Sequence, residues 1–164
     1  MTDTSNHLGA GSNGEISNAL TVLLADMFTL YVKTKNFHWH VSGPHFRDYH
    51  LLLDEQAAQI FGTTDTIAER VRKLGGTTIR SVSQIQRLQR IKDNNEEYVA
   101  PGDMLRELMN DNKAMMTAMR ETHEIADERQ DIGTASMLEL FIDGAEKRNW
   151  FLFEASRGSD QSGH

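Results

Sequence analysis

The chain has 164 residues, a net charge of −7 and a sequence pI near 5.4, which is enough for one domain with a normal core. The acidic balance argues against a general affinity for nucleic acid or anionic membranes. No cysteine is present, which excludes disulfides, zinc–thiolate sites and iron–sulfur clusters. We see no signal peptide and no apolar run near the roughly 18–20 residues that span a bilayer. We therefore expect a soluble cytoplasmic protein with no membrane partner.

The first helix is predicted after a polar N-terminal segment. Residues 1–14 are rich in Gly, Ser and Asn, and we expect a flexible tail there and a second polar tail over residues 159–164. Apolar residues at 3–4 spacing predict a helix from about Glu15 to Val41. Ser42-Gly43-Pro44 breaks it, with Pro44 in the first turn of the next helix. Only two prolines and abundant Leu, Met, Ala, Glu and Arg predict an all-helical fold.

A long second helix and a long connection follow. The helix is expected from about Pro44 to Leu74, where Gly75-Gly76 is a strong stop signal. Residues 77–100 connect it to the next helix, and a stretch from Ser81 to Ile91 places apolar residues three apart. That spacing predicts a short extra helix within the crossover.

Two further helices complete the domain. The third is expected from about Pro101 to Asp127–Gln130 and the fourth from about Asp131 to Ser156, with an apolar set of Leu138, Phe141, Ile142, Trp150 and Phe153. Two helices, a long crossover and two more helices describe a ferritin-like four-helix bundle over residues 15–158.

Two polar pairs on the second helix are candidates for metal binding. His50/Asp54 and Asp65/Glu69 are each spaced i, i+4, so each pair lies on one helix face. The step from Asp54 to Asp65 returns to nearly the same face but spans about 16 Å, too far to share one ion. If two copies of the helix pack antiparallel and cross near Gln59 and Ile60, an isologous interface brings the first pair of one copy beside the second pair of the other. The spacing therefore suggests a metal site shared across a homodimer.

Taken alone, His50/Asp54 is more often a surface hydrogen-bonded pair, and Asp65/Glu69 is usually a solvated helix face. The usual di-iron signature of ferritin-like bundles is Glu-x-x-His on two helices. The residue three before His38, His40, His45, His50 or His123 is never glutamate. We therefore expect no di-iron site of that kind inside one bundle.

Taken together, these motifs resemble the Dps miniferritins, DNA-binding proteins from starved cells, over about residues 15–157. The resemblance is carried by His38-Trp39, by His50 with Asp54, by Asp65 with Glu69, and by the Ala68-Glu69-Arg70 and Leu74-Gly75-Gly76 context. It implies a dodecamer built from two-fold dimers that oxidises ferrous iron, preferentially with hydrogen peroxide, at a site between subunits. It further implies storage of ferric mineral and protection against oxidative stress.

The resemblance also implies residue roles. Asp54 and the partner's Glu69 would bind iron most directly, with His38, His50 and Asp65 completing the site, some through water. Imidazole and carboxylate ligands without sulfur suit Fe(II), and zinc or cobalt would compete. Trp39 is either a nearby electron donor or simply a core or interface aromatic residue. His40 and His45 are expected to bond around the Ser42–Pro44 turn rather than to metal.

Two features depart from the family pattern. Acidic residues at the start of the fourth helix line iron-entry pores in the family. Here only Asp131 and Glu139 are candidates, because Ser136 and Ile132 are not acidic, and Asp131 is equally a helix N-cap. The first 32 residues contain no Lys or Arg, whereas family members usually bind DNA through a basic tail. We therefore expect weak or absent DNA binding. The alternatives are a nucleoid-compacting DNA-binding protein with secondary iron chemistry, and a metal-free interaction module.

Overall fold

Four long helices and one short one make up the fold. The computed structural model describes the backbone of residues 10–158 and the side chains of residues 13–158, so the tails at 1–9 and 159–164 lie outside the described residues. The helices are α1 (Ala10–His40), α2 (Phe46–Lys73), α3 (Val82–Leu88), α4 (Pro101–Glu128) and α5 (Ile132–Ser156), and no strand occurs in the described range. The prediction of an all-helical, ferritin-like bundle with an extra helix in the crossover is confirmed.

The bundle consists of two helical hairpins, α1 with α2 and α4 with α5. The α1 helix also packs against α4 and α3, and α2 against α5. The interior is filled by apolar side chains from all four long helices, among them Leu20, Leu23, Met27, Leu30, Leu53, Ile60, Ile67, Leu105, Leu108, Met115, Met119, Leu138 and Leu152. Full burial of such side chains is the main source of stability, at about 1.5–3 kcal/mol each.

The first helix begins at Ala10, earlier than expected, so residues 10–14 belong to α1 and not to a tail. The cause is a tertiary contact, since Asn13 donates to the carbonyl oxygen of Leu74 at 3.0 Å. Gly76 also lies close to α1, since a Cβ at position 76 would be 2.8 Å from Ser17 Oγ. The first turns of α1 are thus held against the end of α2.

The α2 helix is slightly shorter than predicted and ends as expected. It begins at Phe46 because Gly43, at φ +113°, and Pro44 still form the turn. At its other end Gly75 adopts φ +84°, and Gly76 donates to Val71 at 3.0 Å. This pattern is that of a Schellman C-cap, which needs the left-handed conformation that glycine adopts without strain.

Buried polar contacts hold the crossover on the bundle. Lys33 on α1, 3 % exposed, places Nζ 2.8 Å from both Glu107 and Asp111 on α4. The same Nζ donates to the carbonyl oxygen of Lys92 at 2.9 Å. Burial raises the pKa of Asp111, and the hydrogen bond from Lys33 opposes that rise. One ammonium group therefore joins α1, α4 and the crossover.

Two sequence expectations need correction. Trp150 and Phe153 were expected on the apolar side of α5, yet they are 59 % and 49 % exposed, and Leu152 takes the core position instead. The sequence analysis also saw no apolar run near membrane length, whereas by length and composition alone α1 could cross a membrane within Asn13–His40. Its most apolar 18-residue window is 56 % buried in the bundle, and helices in a bundle core pass the same test of length and composition.

Candidate metal centre

Two histidines hold each other in a fixed orientation between the end of α1 and the start of α2. His38 Nδ1 donates to the carbonyl oxygen of His50 at 2.6 Å, and His50 Nδ1 donates to the carbonyl oxygen of His38 at 2.7 Å. A carbonyl can only accept, so each Nδ1 carries a proton, and in the neutral ring the Nε2 lone pair is then available to a ligand. The rings stack with centroids 3.9 Å apart. Metal-binding histidines are oriented in this way by a second hydrogen bond.

Asp54 lies next to this pair and is held by a lysine. Its Oδ1 is 3.7 Å from His38 Nε2 and accepts a hydrogen bond from Lys35 Nζ at 2.7 Å. The Lys35 hydrogen bond holds the pKa of Asp54 below its usual value, with desolvation opposing the shift. Three of the five predicted residues therefore come together within one chain, with an ammonium group bound to the carboxylate.

The other two predicted residues lie apart from these three. Asp65 and Glu69 are exposed on α2, and neither carboxylate makes a hydrogen bond or ion pair within residues 13–158. Because α2 is continuous from Phe46 to Lys73, Asp54 and Asp65 are separated by about 16 Å of helix. Within one chain, no group of three or more His, Cys, Asp or Glu side chains in the described range could hold a metal ion.

An apolar groove borders Asp65. It has a volume of about 700 Å³ and is lined by Leu24, Phe28, Phe61, Ala68 and Val82, among others. Phe61 is 51 % exposed and Val82 is 80 % exposed. Ile60, named above as a point where two helices cross, is fully buried in its own core, so a second copy could contact only its exposed neighbours.

Trp39 is an exposed residue at the end of α1. It is 62 % exposed and lines a polar groove of about 520 Å³ together with Asn36, His40 and Glu96. Its assignment to the core of the chain is therefore wrong, while an interface or electron-donor role is untested. His40 does not bond around the turn, because its Nδ1 donates back to Asn36 O at 2.8 Å.

Asp131 serves as a helix cap and as the partner of Arg70. It accepts a hydrogen bond from the backbone N–H of Thr134 at 3.1 Å, which confirms the capping interpretation. Arg70 Nη2 lies 2.6 Å from Asp131 Oδ1, and the Asp131 side chain is 1 % exposed. A buried, paired carboxylate does not line a pore on this chain. Glu139 is exposed and lies 3.0 Å from His123 Nε2.

Sequence reasoning did not identify the pairing of Arg70 with Asp131. Arg70 was noted only as part of the motif that contains Glu69. An i, i+4 or capping pattern gives no signal for a contact between residues 61 positions apart. The available signal was Gly133 beside the cap, since a small residue there leaves room for a large side chain from another helix.

Comparisons with known proteins agree with this architecture. The ferritin-like domain model matches residues 17–155. The chain is 34 % identical to the DNA protection during starvation protein of Brevibacillus brevis, over 84 % of this chain and 94 % of that protein. It is 36 % identical to an uncharacterized low temperature-induced protein of Nostoc, over 84 % and 77 %. The X-ray structure of Dps from Thermosynechococcus elongatus superposes with a TM-score of 0.88 at 28 % identity, covering 93 % of this chain and 96 % of that one.

Proposed function

The chain belongs to the Dps family of ferritin-like proteins, and from that premise we propose that it is a cytoplasmic ferroxidase. It oxidises Fe(II), preferentially with hydrogen peroxide, at sites formed between two copies of the chain, and it stores the ferric product in a hollow dodecamer. The consequence for the cell is protection against oxidative damage.

The observation that carries this proposal is the reciprocal hydrogen bonding of His38 and His50. With both Nδ1 atoms bonded to backbone carbonyl groups, the two neutral rings have defined orientations and Nε2 atoms available to a metal, next to the Asp54 carboxylate. Metal-binding histidines are neutral and are usually oriented by a second hydrogen bond of this kind. Nitrogen and oxygen donors without sulfur suit Fe(II), with Zn(II) or Co(II) as competitors.

The second half of each site comes from a second copy. Asp65 and Glu69 are exposed and have no hydrogen bond or ion pair among residues 13–158. Asp65 also borders an apolar groove with an exposed Phe61. Burial of that groove against a copy related by a two-fold axis would bring them to His38, His50 and Asp54 of the other copy. Because each contact occurs twice in an isologous interface, such a dimer contains two equivalent sites.

The residues then act as ligands and carriers of charge. Asp54 and Glu69 offset the charge of ferrous iron, while His38, His50 and Asp65 complete its binding, in part through water. Two ferrous ions each give up one electron, and one hydrogen peroxide accepts both and is cleaved to two hydroxide ions. Trp39 is next to His38 in the sequence and is exposed. It is proposed to donate an electron to any radical that forms when hydrogen peroxide accepts only one electron.

The direct test is ferrous oxidation followed by absorbance, with peroxide and with air, alongside gel filtration of the same sample. We expect oxidation in a large homo-oligomer, faster with peroxide than with air. A chain that elutes as a monomer and binds the metal at full affinity contradicts the proposal. Equal rates with both oxidants reject only the preference for peroxide.

Replacement of Lys35 by methionine should tighten metal binding. The Lys35 ammonium occupies Asp54 Oδ1 at 2.7 Å, so an incoming cation must displace it. Its removal leaves Asp54 free and removes a positive charge from the site, and we expect the Kd for Co(II) to fall by up to about fivefold, the effect of the ~0.2–1 kcal/mol that one exposed charge pair supplies. Titration with Co(II) measures this, and Lys113→Met, at an exposed position of α4 away from the proposed ligands, is the control. An unchanged or larger Kd for Co(II) in Lys35→Met would show that the ammonium does not compete with metal.

Duplex DNA binding should be absent at physiological salt and neutral pH. Binding to duplexes depends on neutralising phosphates with Lys and Arg. The first 32 residues contain neither, and the net charge is −7. A gel shift with sub-micromolar protein tests this expectation. A clear shift in 150 mM salt would favour the nucleoid-compacting alternative and a nucleoid-associated location.

A further inference from the structure

Three side chains fix α2 to α5, and each is close in sequence to a proposed ligand. They are Tyr49, which donates to Ala155 O at 3.1 Å, Gln56, which donates to Arg148 O at 3.0 Å, and Arg70, which bonds to Asp131 and Thr134. The first two flank His50 and Asp54, and the third follows Glu69 directly. Both parts of α2 that carry proposed ligands are therefore attached to α5.

The Arg70 contact is the most extensive of the three. Nη2 donates to Asp131 Oδ1 at 2.6 Å, and Nε donates to Thr134 Oγ1 at 2.9 Å. Asp131 and Thr134 are also bonded to each other at the start of α5, and both are buried. Guanidinium groups bind with such defined geometry because their donors are fixed in one plane.

Gly133 leaves the space in which the Arg70 side chain lies. A Cβ on Gly133 would lie 2.7 Å from Arg70 Nη1 and 2.8 Å from its Cζ and Nη2. These are distances that real Cβ atoms do not keep. The guanidinium is the end of a flexible side chain, so it could move away, but the movement would break its bonds to Asp131 and Thr134.

We propose that Arg70 is a positioning residue, which holds the turn of α2 that bears Asp65 and Glu69 against α5 so that these carboxylates reach the partner's half of the metal site. This inference rests on the proposed function. Asp65 and Glu69 make no hydrogen bond or ion pair within residues 13–158, so the α2 backbone sets their location. Metal–ligand distances tolerate about 0.2 Å, so a small displacement of this turn weakens metal binding.

Gly133→Ala is the sharpest test, because it changes no charge and no proposed ligand. Alanine is the better helix former, and this gain offsets part of the stability that is lost when Arg70 leaves the buried Asp131. The matched control is Gly144→Ala in the same helix, where the new Cβ would meet only Arg148 Nη1, at an ordinary 3.5 Å. Arg70→Lys is the second variant, since lysine retains the charge but cannot make both bonds.

The readouts are the Kd for Co(II), KM and kcat for Fe(II), thermal stability, and elution volume on gel filtration. Gly133→Ala and Arg70→Lys should raise Kd and KM by about tenfold, in the range for removal of an orienting group, with kcat nearly unchanged and the assembly intact. Gly144→Ala should match the wild type. An unchanged Kd for Co(II) in both variants overturns the inference, whatever the change in thermal stability.

The two proposals fail in different ways. If wild-type protein oxidises no Fe(II) but its Co(II) affinity falls in Gly133→Ala, the ferroxidase function is rejected and the positioning role stands. If wild-type protein oxidises Fe(II) while both variants bind Co(II) as tightly as wild type, the positioning role alone is rejected.

Discussion

Two inactive variants should restore activity to each other when their chains are mixed. His50→Ala and Glu69→Ala remove ligands from opposite halves of the proposed site, so each homo-oligomer should lose ferrous oxidation by on the order of tenfold or more. In a mixed dimer, one site receives both substitutions and the other receives neither. Random pairing of equal amounts then yields intact sites at about a quarter of the wild-type number.

The measurement is peroxide-dependent oxidation of Fe(II) by oligomers co-expressed or refolded together from both variants. About a quarter of the wild-type rate is the expected result. The control pair is His50→Ala with Asp54→Ala, which lie on the same half of the site and should not restore the rate as intact sites do. If every ligand came from one chain, neither mixture would recover, and the shared site would be rejected.

The half of the proposed site that lies within one chain could be predicted from the sequence only in part. His38, His50 and Asp54 come together because the α1–α2 turn brings residues 38 and 50 into contact. Their proximity could be anticipated from the i, i+4 spacing and the turn signal at Gly43-Pro44. The fixing of both tautomers by backbone carbonyl groups could not, because the peptide groups concerned are twelve residues apart.

The end of α2 and the start of α5 could be predicted from sequence, because a capping residue in the chain itself sets each boundary. Gly75 ends α2 because its φ of +84° is open to glycine, and Asp131 caps α5 through the N–H of Thr134. The start of α1 could not be predicted this way. Residues 10–14 look like a tail by composition, but Asn13 bonds to a carbonyl group 61 residues away.

The exposed aromatic residues illustrate a second limit of the sequence. Trp39, Trp150 and Phe153 look like core residues by type, yet each is about half exposed or more in the chain. Helical periodicity identifies an apolar face but does not say whether its partner is the same chain or a second copy. The family resemblance made Asp131 a candidate pore residue as well as a helix cap, and its pairing with the distant Arg70 gave no signal in the sequence.

Replacement of Lys33 by methionine should lower the free energy of unfolding more than any substitution in the proposed metal site. Lys33 Nζ lies 2.8 Å from Glu107 and from Asp111 and donates to Lys92 O. Its removal leaves two carboxylates close together without their cation, one of them largely buried. Loss of one partner from a buried ion pair costs about 3–5 kcal/mol. Urea denaturation at fixed protein concentration measures the loss.

Asp111→Asn provides the matched comparison, because it removes a charge from the same cluster but leaves the Lys33–Glu107 pair. Burial raises the pKa of Asp111 in the folded chain, so its ionisation already works against the fold. A carboxyl group with a raised pKa adds stability at low pH and loses that contribution as the pH rises through the folded pKa. The neutral amide should therefore cost far less than Lys33→Met.

The pH dependence separates a charge effect from a loss of packing. Without Lys33, the pKa of Asp111 should rise further, because the hydrogen bond that lowers it is gone. The Lys33→Met variant should therefore regain stability relative to wild type as the pH falls from neutral toward 5, as protons neutralise the unpaired carboxylates. A deficit in unfolding free energy that stays constant across this range would assign the loss to the missing lysine methylenes and the Lys92 hydrogen bond instead.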